Sequence, residues 1–504
     1  MAGHARRPDD IMPPRAGSMA SDNAPNPEKE QSEAGNSGVL GELINHKTLT
    51  WWQGGIVLIA ETVSLGVLSL PSVLATLGLI PGIIVVLAMS IISTYSGWVL
   101  GEFRREYPHV LNFGDALEVI GTPIGMGGTF QVIFGWSQVF FQVFVMASHI
   151  LTWTICLLWL TNGRGVCSII LGFVGTLIFI ICNMPRTLKH TSWMSMISCG
   201  SITAAVVVTA IAVTFTQQTS PWKPGPGMDI DLFRKIEFAP AFLGVTNVAV
   251  AFCEFTYPVG WREKLAFLVL PRPGSLMSAP ANNPMTLAAS HSCFFSVIDE
   301  FKKPEDWPKA LALLQIADTV LYLFAAIMIY YFVGKDVPSP ALSAAPGKIL
   351  PRIIWGIAIP TIVIAGVIYG HVASKYIFVR VFRNSAHLER RTKRSTVVWI
   401  AIVIGLWAIA WVISESIPVF NGLLGLVAAL FVSWFSYGLP GLFWLWMNKG
   451  EWFSGPKQIG KFVANVFLVV TGIMICTLGL WASGNDIAIS TSGSSSTVWK
   501  CRSL

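Results

Sequence analysis

Apolar runs of bilayer length, separated by short polar loops, recur along most of the chain. A spanning helix needs about 20 mostly apolar residues, and by that measure hydropathy marks eleven spans. They cover residues 52–77, 82–103, 129–159, 166–184, 192–216, 238–252 continued by 289–301, 310–333, 352–378, 396–414, 419–447 and 461–482. A polar, proline-rich stretch precedes them and reads as a disordered cytoplasmic tail over residues 1–46. A short Ser/Thr-rich tail, residues 483–504, follows. The pattern predicts an all-α polytopic membrane protein with about 11 transmembrane helices and one transmembrane domain over residues 47–482.

Composition narrows the class. The chain is 53% hydrophobic and 12% charged, whereas a soluble domain carries about 25% charged residues. The net charge of +7 does not call for nucleic acid, because the positives sit mainly in loops between spans. One set of loops, from Arg104 and Arg105 to Lys457 and Lys461, holds sixteen of them, and the opposite set holds seven. Basic loops face the cytoplasm, so the N-terminus is expected there and the C-terminal tail on the other side. The densest basic loop, Phe382 to Arg394, reads as an ordinary cytoplasmic loop before an anionic-lipid site. The eight cysteines show no CxxC spacing, which predicts neither a metal site nor a disulfide framework. No cofactor is implied.

Two spans depart from the plain pattern. The first, WQGGIVLIAETVSLGVLSLPSVLATL, carries Glu61 about 15 Å from its start, at mid-bilayer. Thr62, Ser64, Gly66, Ser69 and Pro71 follow it. A charge at that depth is costly unless it faces protein or water, and Gly66 and Pro71 weaken the backbone ladder beside it. Broken backbone at membrane depth survives where it lines a cavity, and a helix unwound at its midpoint is the habit of transporter binding sites. A kinked anchor helix is the plain alternative.

The sixth span is the other. APAFLGVTNVAVAF, residues 239–252, is too short to cross alone, and so is ASHSCFFSVIDEF, residues 289–301. Joined, they make one spanning helix. Between them lies a charged, proline-dotted stretch, residues 253–288, with no period of 3.6 or 2. Sequence of this kind at this place reads as an insertion, translated intron before a gating loop.

Few other ionisable groups lie deep in spans. Asp318 is in the seventh, His149 in the third, and His371 and Lys375 share a face of the eighth. Each could equally serve packing. Lys375 is expected to snorkel to the cytoplasmic face, and Glu415, at the outer end of the ninth span, to be interfacial. No span shows a continuous polar stripe, which argues against a channel. The absence of HExxH or GxSxG, and the helix count, argue against an enzyme and a seven-helix receptor.

Five segments in order carry a resemblance: ETVSLGVLSLPSVLATLGLIPG, CFFSVIDEFKKPEDWPKAL, LQIADTVLYLFAA, GIAIPTIVIAGVIYGHVASKYIFVRVFR and WVISESIPVFNGLLGLVAALFVSWFSYGL. Over residues 45–482 the chain resembles the amino acid/auxin permease family, and within it the fungal neutral amino acid permeases. The resemblance implies a 5+5 inverted-repeat transporter fold with broken helices 1 and 6. Helix 6 of that family passes through an AFAGH-like break. Here Ala251-Phe252 and Ala289-Ser290-His291 supply its two sides, with Ser290 where glycine is usual and residues 253–288 between them.

The expected function is secondary transport of neutral, aliphatic and aromatic amino acids across the plasma membrane, as a proton symporter. A vacuolar exporter of the same family is the alternative. The substrate residues expected are Thr62, Ser64, Leu65 and Gly66 on the first break and Ala251, Phe252, Ser290 and His291 on the sixth. The carboxylate would meet backbone amides around Ser64–Gly66, and the ammonium would meet carbonyls near Ala251 and Phe252. Glu61 is the first candidate for carrying the proton, with Asp318 and His371 behind it. Apart from amino acid, protons and lipid, no partner is implied.

Overall fold

The computed structural model describes residues 50–110, 112–163, 166–186, 191–216, 230–252, 301–382 and 392–492, with 294, 295, 298, 385 and 498–501. The N-terminal tail, the stretch 253–288 and the site candidates Ser290 and His291 lie outside the described residues, as does most of the basic loop after Phe382. All the regular elements among the described residues are helical.

The first predicted span is two helices, α1 (Trp51–Thr62) and α2 (Leu70–Leu77), joined by a 3₁₀ turn at Gly66–Leu68. Spans two to five are α3 (Leu79–Glu106), α5 (Gly127–Thr161), α6 (Ser168–Asn183) and α7 (Thr191–Thr216), with the short α4 (Phe113–Gly121) before α5. The described half of span six is α8 (Phe238–Ala251). Spans seven to nine are α9 (Trp307–Val333), α10 (Leu350–Val381) and α11 (Lys393–Ser416). Span ten comprises α12 (Phe420–Val427), a π-helical segment at Ala428–Gly438 and α13 (Leu439–Met447), and span eleven is α14 (Pro456–Thr491).

Eight of these helices are long and apolar enough to cross a membrane unaided. The shorter apolar ones are the two halves of span one, α6 and α8. From the second half of span six, Phe294, Phe295, Ile298 and Phe301 are described, and all four are buried. Arg104 of α3 donates from Nε to Phe295 O at 3.3 Å. Span ten and α5 are the most enclosed helices, whereas α11 and α14 are the most peripheral. Ile91, Ile181, Trp193 and Val397 stay exposed on outer faces, as lipid contact requires.

The packing follows a repeat of five. α5 and α10 lie side by side: a Cβ built on Gly366 would stand 3.2 Å from His149 Cβ, and one on Gly135 would meet Tyr376. α6 and α11 do the same, with Phe179 stacked on Trp407 at 4.6 Å and Phe173 edge-on to Trp411 at 5.5 Å. In both pairs one residue number rises as the other falls, so the helices run antiparallel. Spans three and eight, and four and nine, are therefore in contact five apart and inverted. Spans one and six also touch, as shown below. This is the contact pattern of a 5+5 inverted repeat with its axis in the membrane plane.

Three expectations change. Span ten is not one regular helix. Its π segment lies where Gly472 of α14 comes so close that a Cβ would stand 2.7 Å from Ser433 O and 2.8 Å from Gly438 N. A π bulge re-routes carbonyls in this way and is uncommon in helices. The helix of span eleven continues past residue 482, to Thr491. Finally, the chain has a disulfide after all: Cys167, at the N-terminus of α6, is bonded to Cys501, 334 residues away. The tail reaches it by folding back, with Ser168 Oγ donating to Lys500 O at 3.3 Å and Trp499 edge-on to Trp411 at 5.6 Å. Cysteine spacing could not reveal a pair brought together only by that fold-back.

Candidate functional site

The first break is built by local chemistry. The ladder of α1 closes with the Val63 amide donating to Ile59 O at 3.1 Å, and Val63 then turns extended, at φ −74° and ψ 92°. The Thr62 hydroxyl donates back to Leu58 O at 2.9 Å, a side-chain bond that competes with the ladder. The chain resumes as the 3₁₀ turn, where the Leu68 amide bonds Leu65 O at 3.0 Å and the Ser69 hydroxyl bonds Gly66 O at 2.9 Å. Pro71 follows in the first turn of α2, where its missing N–H costs nothing. In span six, α8 ends at Ala251, and the Phe252 amide makes a last bond to Val248 O at 3.4 Å.

The two breaks meet. A Cβ on Gly66 would lie 2.6 Å from Ala251 Cα and 3.3 Å from Ala251 N, so backbone passes directly over backbone. Thr62, Ser64, Leu65, Gly66, Ala251 and Phe252 are all buried around this point. The Ser64 hydroxyl has no hydrogen-bond partner among the described residues. Val63, Val67 and Phe252 add buried apolar surface. Two helix C-termini, with their negative partial charge, thus converge beside the N-terminus of the turn leading into α2, with its positive one. Such a place suits a small zwitterion: carbonyl ends for a cation, amide end for an anion.

The ionisable candidates fall differently. Glu61 lies in the last turn of α1, next to Thr62, but its side chain is outside the described residues. Asp318 of α9 is completely buried, and neither carboxyl oxygen has a partner among the described residues. A carboxyl of this kind is costly at membrane depth, which makes Asp318 a candidate for a functional role. It stands one helical turn, about 6 Å, from Tyr322, whose hydroxyl reaches both breaks. His371 is buried in the packing of α10 against α11, with its ring 5.3 Å from that of Trp399.

Other readings need correction. Lys375 is buried rather than reaching the cytoplasmic surface, since it shares the inward face of α10 with His371. Glu415, one residue from the end of α11, is fully buried between helices. Gly172 of α6 leaves room for it: a Cβ there would stand 2.6 Å from Glu415 Oε1. In α5 the polar side chains Gln138, Gln142, Ser148, His149 and Thr152 are all buried, interrupted by apolar residues such as Val145. That helix packs on α10, where His149 Nδ1 lies 3.0 Å from Ile362 O. Sequence reasoning missed Tyr322, although its position four residues past Asp318 puts it on the same helical face.

The family described as transmembrane amino acid transporter protein matches residues 47–255 and 289–484. The chain is 30% identical over 449 residues to the "N amino acid transport system protein" of Neurospora crassa, covering 87% of this chain and 85% of that one. It is 25% identical over 443 residues to a "transmembrane transporter" of Fusarium pseudograminearum, covering 87% and 84%. Among solved structures it is similar to Mhp1, a nucleobase-cation-symport-1 family transporter, in a closed conformation. The TM-score is 0.49 at 12% identity, covering 89% of this chain and 95% of that one. It is also similar to MhsT in complex with L-phenylalanine, with a TM-score of 0.46 at 13% identity, covering 87% and 98%. With both matched blocks of the family spanning the two breaks and nearly every helix described above, the chain belongs to the transmembrane amino acid transporter family.

Proposed function

We propose that this protein imports neutral aliphatic and aromatic amino acids across the plasma membrane by proton symport. The observation that carries the reading is the meeting of the two breaks at Gly66 and Ala251. The substrate carboxylate sits against the amides of Ser64, Leu65 and Gly66, at the positive end of the turn. Its ammonium group meets the carbonyl ends of α1 and α8, at Thr62, Ala251 and Phe252. The apolar surroundings, Val63, Val67 and Phe252, support an uncharged substrate side chain. Glu61, adjoining the break, carries the proton. Asp318 is the second candidate and His371, away from the breaks, the third.

The distribution of basic loops supports a cytoplasmic N-terminus. The Cys167–Cys501 bond supports it independently. A disulfide persists on an oxidising face, and this one lies on the side that the loop charges assign to the exterior. We also propose that residues 253–288 are no part of the working transporter. The family match stops at residue 255 and resumes at 289, which supports that reading. With the stretch absent, Ser290 and His291 follow Phe252 closely and complete the sixth break.

Uptake of radiolabelled neutral amino acids in permease-deficient yeast tests the function. Uptake is expected to rise as the external medium is acidified and to be unchanged when choline replaces sodium. A protonophore is expected to abolish accumulation. Uptake that requires sodium and ignores the protonophore would refute proton coupling. Residence in the vacuolar membrane with no gain in whole-cell uptake would favour an exporter.

A further inference from the structure

Tyr322 is completely buried on α9. Its hydroxyl donates to Ala251 O at 2.8 Å and also lies within 3.4 Å of Thr62 O. Ala251 is the last residue of α8 and Thr62 the last of α1. Carbonyls in the final turn of a helix have no partner within it, and the negative end of the helix dipole collects there. A single hydroxyl from a third helix therefore lies between the terminal carbonyls of both half-helices. Phe252 lies edge-on to the ring at 5.2 Å.

We propose that Tyr322 is a positioning residue that sets the selectivity of the site for a free amino group. The inference rests on the reading that an amino acid binds between the paired breaks. By holding Thr62 O and Ala251 O around one donor, the hydroxyl fixes the spacing of two carbonyls. A primary ammonium, with its three N–H donors, can satisfy both carbonyls at that spacing. Each methyl added to the nitrogen removes a donor and places carbon against an acceptor that then goes unpaired. The tyrosine makes no bond to the substrate's side chain and so does not sort one neutral amino acid from another.

The test compares wild type with Tyr322→Phe, which keeps the ring and removes the hydroxyl. Tyr322→Met, which fills space without a donor, is measured in parallel so that the result does not depend on one substitution. For a radiolabelled neutral amino acid, KM is expected to rise roughly three- to tenfold, the loss of one hydrogen bond. The maximal rate per transporter at the cell surface is expected to stay within about twofold. Competition by the N-methyl and N,N-dimethyl forms of the same amino acid should fall stepwise in wild type and flatten in both variants. A purely structural hydroxyl would instead lower the surface level or the maximal rate, leaving KM and the order of competitors unchanged. That outcome, with wild type transporting normally, overturns the proposal and leaves amino acid binding at the breaks intact. Wild type that takes up no amino acid overturns the underlying reading instead.

Discussion

Gly66→Ala is expected to abolish transport while leaving the protein in the membrane. The added Cβ would stand 2.6 Å from Ala251 Cα and 3.1 Å from Ala251 Cβ. Overpacking costs about 1–3 kcal/mol where side chains can shift. Here the nearest atom is backbone, so relief requires the two half-helices to separate. At about 1.4 kcal/mol per tenfold change, uptake should drop by at least roughly tenfold. Gly66→Val should be worse, because a branched side chain multiplies the overlap. The measurement is uptake per transporter at the surface, counted with a fluorescent tag. Uptake of the alanine variant within about twofold of wild type would show that the breaks separate freely, and that the close approach is not part of the site.

Removing residues 253–288 is expected to give the opposite effect. Neither half of the sixth span is long enough to cross a bilayer alone, whereas Phe252 joined to Ala289 would give an apolar run of spanning length. An insertion between spans would cost little, since loop closure depends weakly on length. At a break proposed to present carbonyls to a ligand, it separates Ala251 and Phe252 from Ser290 and His291 along the chain. The shortened chain should therefore transport at least roughly tenfold faster than the full chain, a gain of about 1.4 kcal/mol in competent protein. Sequencing of the mature message should show the codon for Phe252 followed closely by that for Ala289. A message that always carries the extra codons, together with a deletion that inactivates an active full-length protein, would make the stretch functional.

What could be read along the chain was what depends on local pattern. Span lengths follow from hydropathy, and the first break is announced by Glu61, Gly66 and Pro71 standing together in an apolar run. The features that escaped depend on distant partners. Glu415 is buried because Gly172, on another helix, lacks a side chain. Cys167 finds Cys501 only because the tail residues Trp499 and Lys500 pack against α11 and α6. The π segment of span ten answers the close approach of Gly472. Tyr322 reads as one more aromatic packing residue until α9 sets its hydroxyl against Ala251 and Thr62. None of these has a sequence period, since each joins residues from separate spans.

In the proposed mechanism an amino acid and a proton move together through the paired breaks, with Glu61 carrying the proton. The most direct measurement is proton movement evoked by substrate. A neutral amino acid is added to a lightly buffered, sodium-free suspension of permease-deficient yeast expressing the protein, and external pH is followed alongside entry of label. Immediate alkalinisation of the medium is expected, in step with amino acid entry. With Glu61→Gln, label should still exchange across the membrane, without alkalinisation and without accumulation against a gradient. Entry of amino acid with no proton movement in wild type, or undiminished proton movement and accumulation in Glu61→Gln, would contradict it.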